Sequence, residues 1–341
     1  AAPYTADIKM PGMLHGKILR SPHPHAEIVS IDTSGAEKLL GGKRFVATAE
    51  DAPPTLMGGA VNDMPLFAID RVRYVGEPVA AVAALSPELA DEALECIKVV
   101  YRELPPIFDA LKAMDPKSPL IHERLGDYSG SSSVVRFGNV CSHISVRKGD
   151  VEKGFQEADR IFENVFLTQS IIQGQIEPHA SLAAVDSTGK IEVWTPTTGA
   201  FQLRQQLAGI FRVPLNLIKI NPMTIGGNFG AKNNVRVEPY CIVLAKKSGR
   251  PVRIVTSREE EFTSFNPRHP TIIEIKTGVK DDGAITARKV RLVYDTGGYS
   301  DIGPMVEGEG AKQAVGPYRI PNVEVDSYCV YTNKMSAACC R

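Results

Sequence analysis

Residues 77–104, EPVAAVAALSPELADEALECIKVVYREL, place a strand, a helix and a second strand in close succession. Residues 77–85 are a continuous run of small apolar side chains, which is typical of a buried strand. Ser86 suits the N-cap of the helix that follows, and Pro87 suits its first turn. The closing IKVVYREL predicts another strand. Together with the alternating patterns of residues 13–32, this stretch predicts a compact α+β unit at the start of the chain.

A second unit follows a region rich in turn-forming residues. DPKSP and GDYSGSSS favour loops and predict a connector. Beyond it, strand patterns alternate with helical patterns. The predicted strands lie at 191–196, 271–279 and 287–296, and the predicted helices at 151–159, 200–211 and about 236–248. The chain therefore divides into a first unit, a connector and a second α+β unit, at residues 1–112, 113–148 and 149–341.

The composition narrows the class of protein. The chain has 341 residues, enough for about two domains, and its 43% hydrophobic and 23% charged residues are ordinary for a globular protein. Lys+Arg and Asp+Glu number 39 each, so charge favours neither nucleic acid nor a membrane surface as a partner. No apolar run approaches the ~20 residues that span a bilayer. The first residues, AAPYTADIKMPG, carry no charged-then-apolar signal and resemble the middle of a longer protein.

The cysteines are scattered along the sequence. None forms C-x-x-C or pairs with histidine at zinc spacing, and an iron–sulfur cluster needs about four well-placed thiolates. The sequence therefore predicts no iron–sulfur cluster on this chain and no metal held by its own side chains. Such cysteines are usually small buried side chains in a reduced compartment, which favours a cytoplasmic protein. They are Cys96, Cys141, Cys241, Cys329, Cys339 and Cys340.

Residues 225–232, IGGNFGAK, hold three glycines and a lysine between a predicted strand at 218–221 and a predicted helix. A Walker A loop is excluded because Ala231 and Asn233 replace its second glycine and its hydroxyl residue. The dinucleotide pattern G-x-G-x-x-G is also absent. Two interpretations remain: a glycine turn whose N–H groups bind an anion, or a tight turn that buries Phe229 in the core.

The order of the motifs along the chain is more specific than this one loop. EPHASLAAVD, IEVWTPTTGAFQLR, IGGNFGAK, PVRIVTSREEEF, RHP, DTGGYSDIG, GPYRIPN and YTN follow one another between residues 177 and 333. In this order they resemble the large, molybdenum-cofactor-binding subunit of the xanthine dehydrogenase and aldehyde oxidase family. YTADIKMPGMLHGKILRSPHPHAEIVSID and RVRYVGEPVAAVAA resemble the family's a/b hammerhead domain. The implied α+β fold is this hammerhead domain followed by the first half of a molybdenum-cofactor-binding domain.

The resemblance implies which residues face the cofactor and the substrate. The family's G-G-x-F-G loop lies at the molybdenum centre and offers backbone N–H groups to its oxygen ligands, and the chain's final residue falls near the arginine of a second cofactor loop. The implied cofactor-binding residues are Gly226, Gly227, Phe229, Gly230 and Arg341. The implied substrate-pocket residues are Phe229, Asn233 and Glu309.

Four positions depart from the purine-oxidising members of the family. Asn233 stands where those members have a glutamate that holds the substrate ring, and Glu309 stands near the position of an arginine. Ile171 and Thr198 stand where the family has glutamines. Removing polar anchors leaves a purine's buried polar groups unpaired, so these positions favour an aldehyde, an aromatic acid or an N-heterocycle over xanthine.

The resemblance also implies an activity and an assembly. The chain is expected to be a component of a molybdenum hydroxylase, an oxidoreductase that oxidises a carbonyl or N-heterocyclic substrate with water as oxygen donor. The implied cofactor is molybdenum-molybdopterin, with the cytosine dinucleotide form as one option, bound only in the complete assembly. The catalytic glutamate is expected outside this chain, so no catalytic residue is assigned and the chain alone is expected to be inactive.

The implied partners are the C-terminal half of the large subunit, an iron–sulfur subunit and an FAD subunit. The alternative is a non-catalytic fragment or split-subunit half that supplies part of the cofactor site and a docking surface. Among other polar residues, His179 is either a metal ligand or, as the family's dithiolene-bound molybdenum favours, a structural histidine. Glu177 suggests a buried hydrogen-bonding carboxylate near the site, and the acidic run at 259–261 suggests a solvated helix start.

Overall fold

The computed structural model describes residues 3–131 and 134–339, which form eighteen strands and eight α-helices. The strands are β1 (Leu14–Arg20), β2 (Ala26–Asp32), β3 (Val46–Ala47), β4 (Met57–Gly58), β5 (Asn62–Met64), β6 (Arg71–Val72), β7 (Pro78–Ala84), β8 (Lys98–Glu103), β9 (Val135–Phe137), β10 (Val140–Lys148), β11 (Arg160–Thr168), β12 (Ala180–Val185), β13 (Ile191–Thr195), β14 (Ile218–Pro222), β15 (Val252–Val255), β16 (Thr271–Val279), β17 (Ile285–Gly297) and β18 (Asn322–Tyr331). The helices are α1 (Ser34–Leu40), α2 (Pro87–Glu95), α3 (Ala110–Ala113), α4 (Val151–Gln156), α5 (Ala200–Phe211), α6 (Glu238–Ser248), α7 (Arg258–Thr263) and α8 (Gly303–Gln313). Within the described ranges, no helix is long and apolar enough to cross a membrane.

The larger sheet combines strands from both predicted units. Its seven strands run in the order β14-β13-β12-β15-β1-β7-β3. Strand β1 pairs antiparallel with β7 and parallel with β15. It therefore joins the strands of the first unit to those of the second. Leu14, Ala81, Leu203, Ile242 and Val252 belong to one buried cluster on this sheet. The predicted division at 113–148 therefore separates neither the sheet nor its core.

The second large sheet has six strands in the order β11-β16-β17-β18-β10-β9. Helices α4 and α8 pack against its middle strands. Strand β11 lies at one edge, where it pairs with β16, and its side chains are exposed over almost its whole length. Three strands of the first unit, β6, β2 and β8, make a separate small sheet, and β4 and β5 form a hairpin.

Most elements expected from the sequence are present. Ser86 caps α2 by accepting a hydrogen bond from the N–H of Leu89, and β7 is buried along its whole length. The predicted helix at 200–211 is confirmed with the same bounds. The loop prediction over 113–148 is wrong at its end, because β9 and β10 form there and β10 pairs with β18 along most of its length. The second half of β10 is exposed and mainly polar, so the sequence shows no strand pattern there.

Buried polar side chains connect the first unit to the second. The Asp63 carboxylate accepts hydrogen bonds from the N–H of Ser300 at 2.8 Å and from the Tyr331 hydroxyl at 2.6 Å. The Tyr299 hydroxyl donates to Glu77 at 2.5 Å. Burial raises the pKa of Asp63 to about 6 and that of Glu77 to about 7. These contacts hold the first unit against the ends of β17 and β18 in the second sheet.

Candidate functional site

The glycine loop, residues 225–232, lies between β14 and α6, as the sequence predicts. Gly227 and Gly230 have φ of +105° and +99°, and Phe229 has φ of +51°. An L-residue with a side chain rarely adopts such angles, so only glycine fits two of these positions without strain. A Cβ at Gly230 would meet the carbonyl oxygen of Cys339 at 2.6 Å. The loop conformation therefore depends on its glycines.

The loop presents backbone N–H groups on a concave turn. The N–H groups of Gly227, Phe229 and Gly230 take part in no hydrogen bond among the described residues. The N–H of Gly226 is already engaged, because it donates to the Glu177 carboxylate at 2.7 Å. Successive N–H groups in a turn with left-handed residues form a concavity that binds anions. Three of the four predicted loop residues thus offer donors, and the fourth has a structural partner.

Glu177 and Lys232 fix the loop through hydrogen bonds to each other and to Gly226. The Lys232 ammonium donates to the Glu177 carboxylate at 2.7 Å and to its backbone carbonyl at 2.9 Å. The backbone N–H of Glu177 donates in turn to the carbonyl of Gly226 at 3.0 Å. Burial lowers the pKa of Lys232, and its hydrogen bond to Glu177 opposes this effect. Glu177 is therefore a hydrogen-bonding carboxylate, as its motif suggests, and it is mostly but not fully buried.

His179, two residues after Glu177, belongs to a group of buried polar side chains. Both ring nitrogens of His179 face acceptors: Nδ1 lies 2.9 Å from the Glu261 carboxylate and Nε2 lies 3.2 Å from the carbonyl of Ala231. Its ring also stacks on Phe265, with centroids 4.2 Å apart. The contacts of both nitrogens favour the structural interpretation of His179. In the described part of the chain, no group of three or more His, Cys, Asp or Glu side chains is arranged to hold a metal ion.

The interpretation of residues 259–261 as a solvated helix start is wrong for Glu261. Its side chain is buried, with hydrogen bonds from Gln175 and Thr256 in addition to His179. Burial acts to raise the pKa of Glu261, but the hydrogen bonds and the charge of His179 hold it below its ordinary value. Glu260 instead completes the capping box of α7 with Ser257. Of the three acidic residues in this run, Glu261 is the one whose side chain is buried.

Asn233 has local partners. Its side-chain oxygen accepts hydrogen bonds from the Thr198 hydroxyl and from the Asn228 amide, both at 2.7 Å. Two positions that depart from the family pattern, Asn233 and Thr198, therefore contact each other at the loop. The carboxamide oxygen is not an open acceptor in this arrangement.

Glu309 lies in a different place, on α8. It lines a cavity of about 580 Å³ together with polar and apolar residues of β16, β17 and the chain end, and its carboxylate pairs with Lys312 at 2.8 Å. This pairing reduces the negative charge that Glu309 presents. The other lining residues are Thr168, Arg268, His269, Thr271, Ile273, Tyr294, Met305, Val306, Ala338 and Cys339.

The predicted site residues are only partly brought together. The cavity that Glu309 lines does not include Phe229 or Asn233 among the described residues, and the loop reaches it through Cys339, whose carbonyl packs on Gly230. The Phe229 side chain is 56% exposed, so the interpretation of the loop as a turn that buries Phe229 is wrong. Arg341 lies outside the described residues.

Sequence reasoning missed Lys232 and Gln173 as parts of the site. Gln173 donates to the carbonyls of Cys339 and Asn266 at 2.7 and 2.9 Å, which ties the segment before Glu177 to the cavity. The signal for Lys232 is its place at the end of the glycine loop, where the sequence puts one basic side chain. Gln173 has no such signal, because its partners are backbone groups about 90 to 170 residues further along the chain.

Comparisons with known proteins identify the class. A molybdopterin cofactor-binding domain model matches residues 135–341, and an aldehyde oxidase and xanthine dehydrogenase a/b hammerhead domain model matches residues 1–105. These matches, on the α+β fold described above, define a molybdopterin-cofactor-binding protein. The chain belongs to the xanthine dehydrogenase and aldehyde oxidase family, as the order of its motifs predicts.

Individual relatives differ in length from this chain. A probable xanthine dehydrogenase subunit of Bacillus subtilis is 40% identical over 97% of this chain and 43% of its own length. The nicotinate dehydrogenase large molybdopterin subunit of Eubacterium barkeri is 35% identical over 99% of this chain and 76% of its own length. The solved aldehyde oxidoreductase of Desulfovibrio gigas superposes with a TM-score of 0.90 at 25% identity, over 100% of this chain and 38% of that one. The chain thus spans less than half of two of these three proteins.

Proposed function

We propose that this chain is the cofactor-binding component of a molybdenum hydroxylase that oxidises an aldehyde or N-heterocyclic substrate with water as oxygen donor. The observation that supports this most is the set of N–H groups at Gly227, Phe229 and Gly230, which have no hydrogen-bond partner among the described residues and lie in the loop between β14 and α6. An oxo-metal group is anionic, and a turn of backbone N–H donors suits an anion. When bound, the molybdenum-molybdopterin group supplies the two-electron redox chemistry of hydroxylation.

The residues present fit this group in two respects. The three N–H groups would bind its anionic oxygen ligands, and the glycines at 227 and 230 allow the positive φ angles of the turn that carries those groups. Phe229 exposes its ring beside these donors, where it can flank a planar substrate. Gly226 contributes through its contact with Glu177 and not as a donor to the cofactor.

The rest of the proposed assembly is inferred from the family. We propose that the general base, the remaining pterin contacts and the iron–sulfur and FAD groups are supplied by further polypeptide regions, with the cytosine dinucleotide as one form of the pterin. The buried thiols Cys141 and Cys241 carry no disulfide, which supports a reduced, cytoplasmic compartment.

A second candidate function is a non-catalytic half that supplies part of the site and a docking surface. The exposed edge strand β11 supports it, since Val165 is 65% exposed and Leu167 is 74% exposed there. The two candidates differ in the activity of the chain when it is combined with its partners. A hydroxylase component restores substrate oxidation, whereas a non-catalytic half leaves an assembly that takes up cofactor but oxidises none of the substrates.

A pair of glycine variants tests the cofactor site. Gly230→Ala forces a methyl group onto the carbonyl of Cys339 at a positive φ, whereas Gly189→Ala has a comparable φ of +82° with nothing within 4 Å. Both variants would be produced within the assembly and assayed for molybdenum per chain. We expect Gly230→Ala to lose most of the metal and Gly189→Ala to keep it. Full molybdenum in both variants would rule out the loop as a cofactor site.

A further inference from the structure

We propose that Glu177 and Lys232 are positioning residues that hold the glycine loop in the backbone conformation its N–H donors require. The functional half of this inference rests on the proposed function, because it assumes that those donors face the cofactor. The structural half does not. The contacts of Glu177 and Lys232 with each other and with the loop, called the clamp below, lie entirely within this chain.

The clamp closes the loop at both ends. Gly226, at the start, exchanges two hydrogen bonds with Glu177: its N–H donates to the carboxylate, and its carbonyl accepts from the Glu177 N–H. Lys232, at the end, donates to the same carboxylate and to the Glu177 carbonyl. A single residue outside the loop thus fixes the distance between its first glycine and its last residue.

Burial makes this pairing selective for one loop geometry. The side chain of Lys232 is 1% exposed and that of Glu177 is 11% exposed, so water has little access to either charge. An ion pair removed from water is costly to break, because the remaining charge is left uncompensated. The loop therefore cannot swing away from Glu177 without exposing or orphaning both groups.

Packing above the pair adds a steric limit. A Cβ at Gly226 would lie 2.6 Å from the Cβ of Glu177, so the loop backbone sits directly on that side chain. Inside the loop, the side-chain oxygen of Asn228 accepts a hydrogen bond from the N–H of Lys232 at 2.5 Å. The backbone carbonyl of Asn228 accepts one from the N–H of Ala231. The turn and the clamp share Lys232, and a change at this residue reaches the donors at 227–230.

Amide hydrogen exchange on the purified chain, without cofactor, tests the clamp. Lys232→Met removes the ammonium, and Glu177→Gln keeps the shape and hydrogen-bonding capacity but removes the charge. The matched control is Lys219→Met, which breaks an exposed pair with Glu192 on neighbouring strands. We expect the hydrogen-bonded amides of residues 226, 231 and 232 to exchange roughly ten- to a hundredfold faster in Lys232→Met. Amides of α6 should keep their wild-type rates, and Lys219→Met should change none of these.

Two results would overturn the inference. One is unchanged exchange at 226, 231 and 232 in a folded Lys232→Met chain. The other is an equal increase in the loop and in α6, which would mean that the pair contributes to general stability alone. If Lys232→Met does not fold, the same exchange measurement is made on the double variant Lys232→Met with Glu177→Gln. This variant leaves no uncompensated charge in the buried site.

Molybdenum content of the assembled variants separates this inference from the proposed function. Faster loop exchange together with loss of metal from Lys232→Met supports both. Faster exchange with full metal supports the clamp but removes the glycine loop from the cofactor site. Unchanged exchange overturns the clamp whatever the metal content.

Discussion

At the scale of single residues, Asn233 and Glu309 bear on which substrate the assembly accepts. The Asn233 oxygen is engaged by Thr198 and Asn228, and Glu309 carries a negative charge, moderated by Lys312, at a cavity near the chain end. A charged hydrogen bond lost from a buried site costs ~1.5–3 kcal/mol, roughly ten- to over a hundredfold in rate. We expect the partnered enzyme to show a lower kcat/KM for xanthine than for an aromatic aldehyde or nicotinate.

Steady-state assays with the three substrates check this expectation, and Asn233→Glu should raise the rate with xanthine relative to the others. If xanthine is the best substrate of the wild-type assembly, the assignment of these two positions is wrong.

Glu307 is a buried carboxyl on α8, and burial raises its pKa to about 7 despite the nearby hydroxyls of Ser142 and Ser327. An acid whose folded pKa lies above its unfolded value binds its proton more tightly when folded. Its stabilising contribution is therefore complete below about pH 4.5 and is lost as pH rises through about 7, by about 3 kcal/mol.

Glu307→Gln should remove this part of the pH dependence. Chemical denaturation at pH 5 and pH 8 should show a smaller loss of unfolding free energy in the variant than in the wild type. Equal losses would mean that Glu307 keeps an ordinary pKa in the fold.

At the scale of elements, β11 is an edge strand whose apolar side chains face solvent. Phe162, Val165 and Leu167 are all more than half exposed. Exposed apolar edges pair with other chains, and a charge on the edge prevents this. We expect Val165→Lys to lower aggregation of the purified chain, measured by light scattering. Thr188→Lys, which adds the same charge in an exposed turn, is the control and should have no such effect.

The elements that the sequence predicted are those whose periodicity reflects local burial. α5 and α2 bury one face, α2 also begins with a recognisable Ser-Pro cap, and β7 is buried on both faces. β10 and β11 were missed because their exposed residues show no regular alternation. The glycine loop was predictable from its glycines. Its clamp was not, because Glu177 and Lys232 are 55 residues apart and are brought together only by the tertiary fold.

At the scale of the whole molecule, the shared sheet determines what a cut in the connector does. Lys117 lies in an exposed turn between the two units. Limited trypsin digestion should cut there first. The two fragments should stay together on gel filtration, because β1 and β7 remain in one sheet with β15. Initial cleavage within residues 77–104, or separation of the fragments without denaturant, would contradict the shared core.

The chain purified alone should bind little or no molybdenum. The glycine loop supplies one set of donors, and the family resemblance implies that most other pterin contacts come from elsewhere. Elemental analysis of the chain alone, compared with the chain isolated with its partners, measures this directly. A stoichiometric metal signal from the isolated chain would refute it.

The parallel pairing of β1 with β15 has a consequence for the order in which the chain folds during synthesis. Residues 14–16 find their partners only at 252–254, so one edge of β1 stays open while more than 230 residues are made. At a ribosomal rate of ~5–20 residues per second, this interval lasts roughly ten to fifty seconds. Throughout that time the nascent first unit presents an unpaired strand edge, which a chaperone or a neighbouring nascent chain can bind before Val252 emerges.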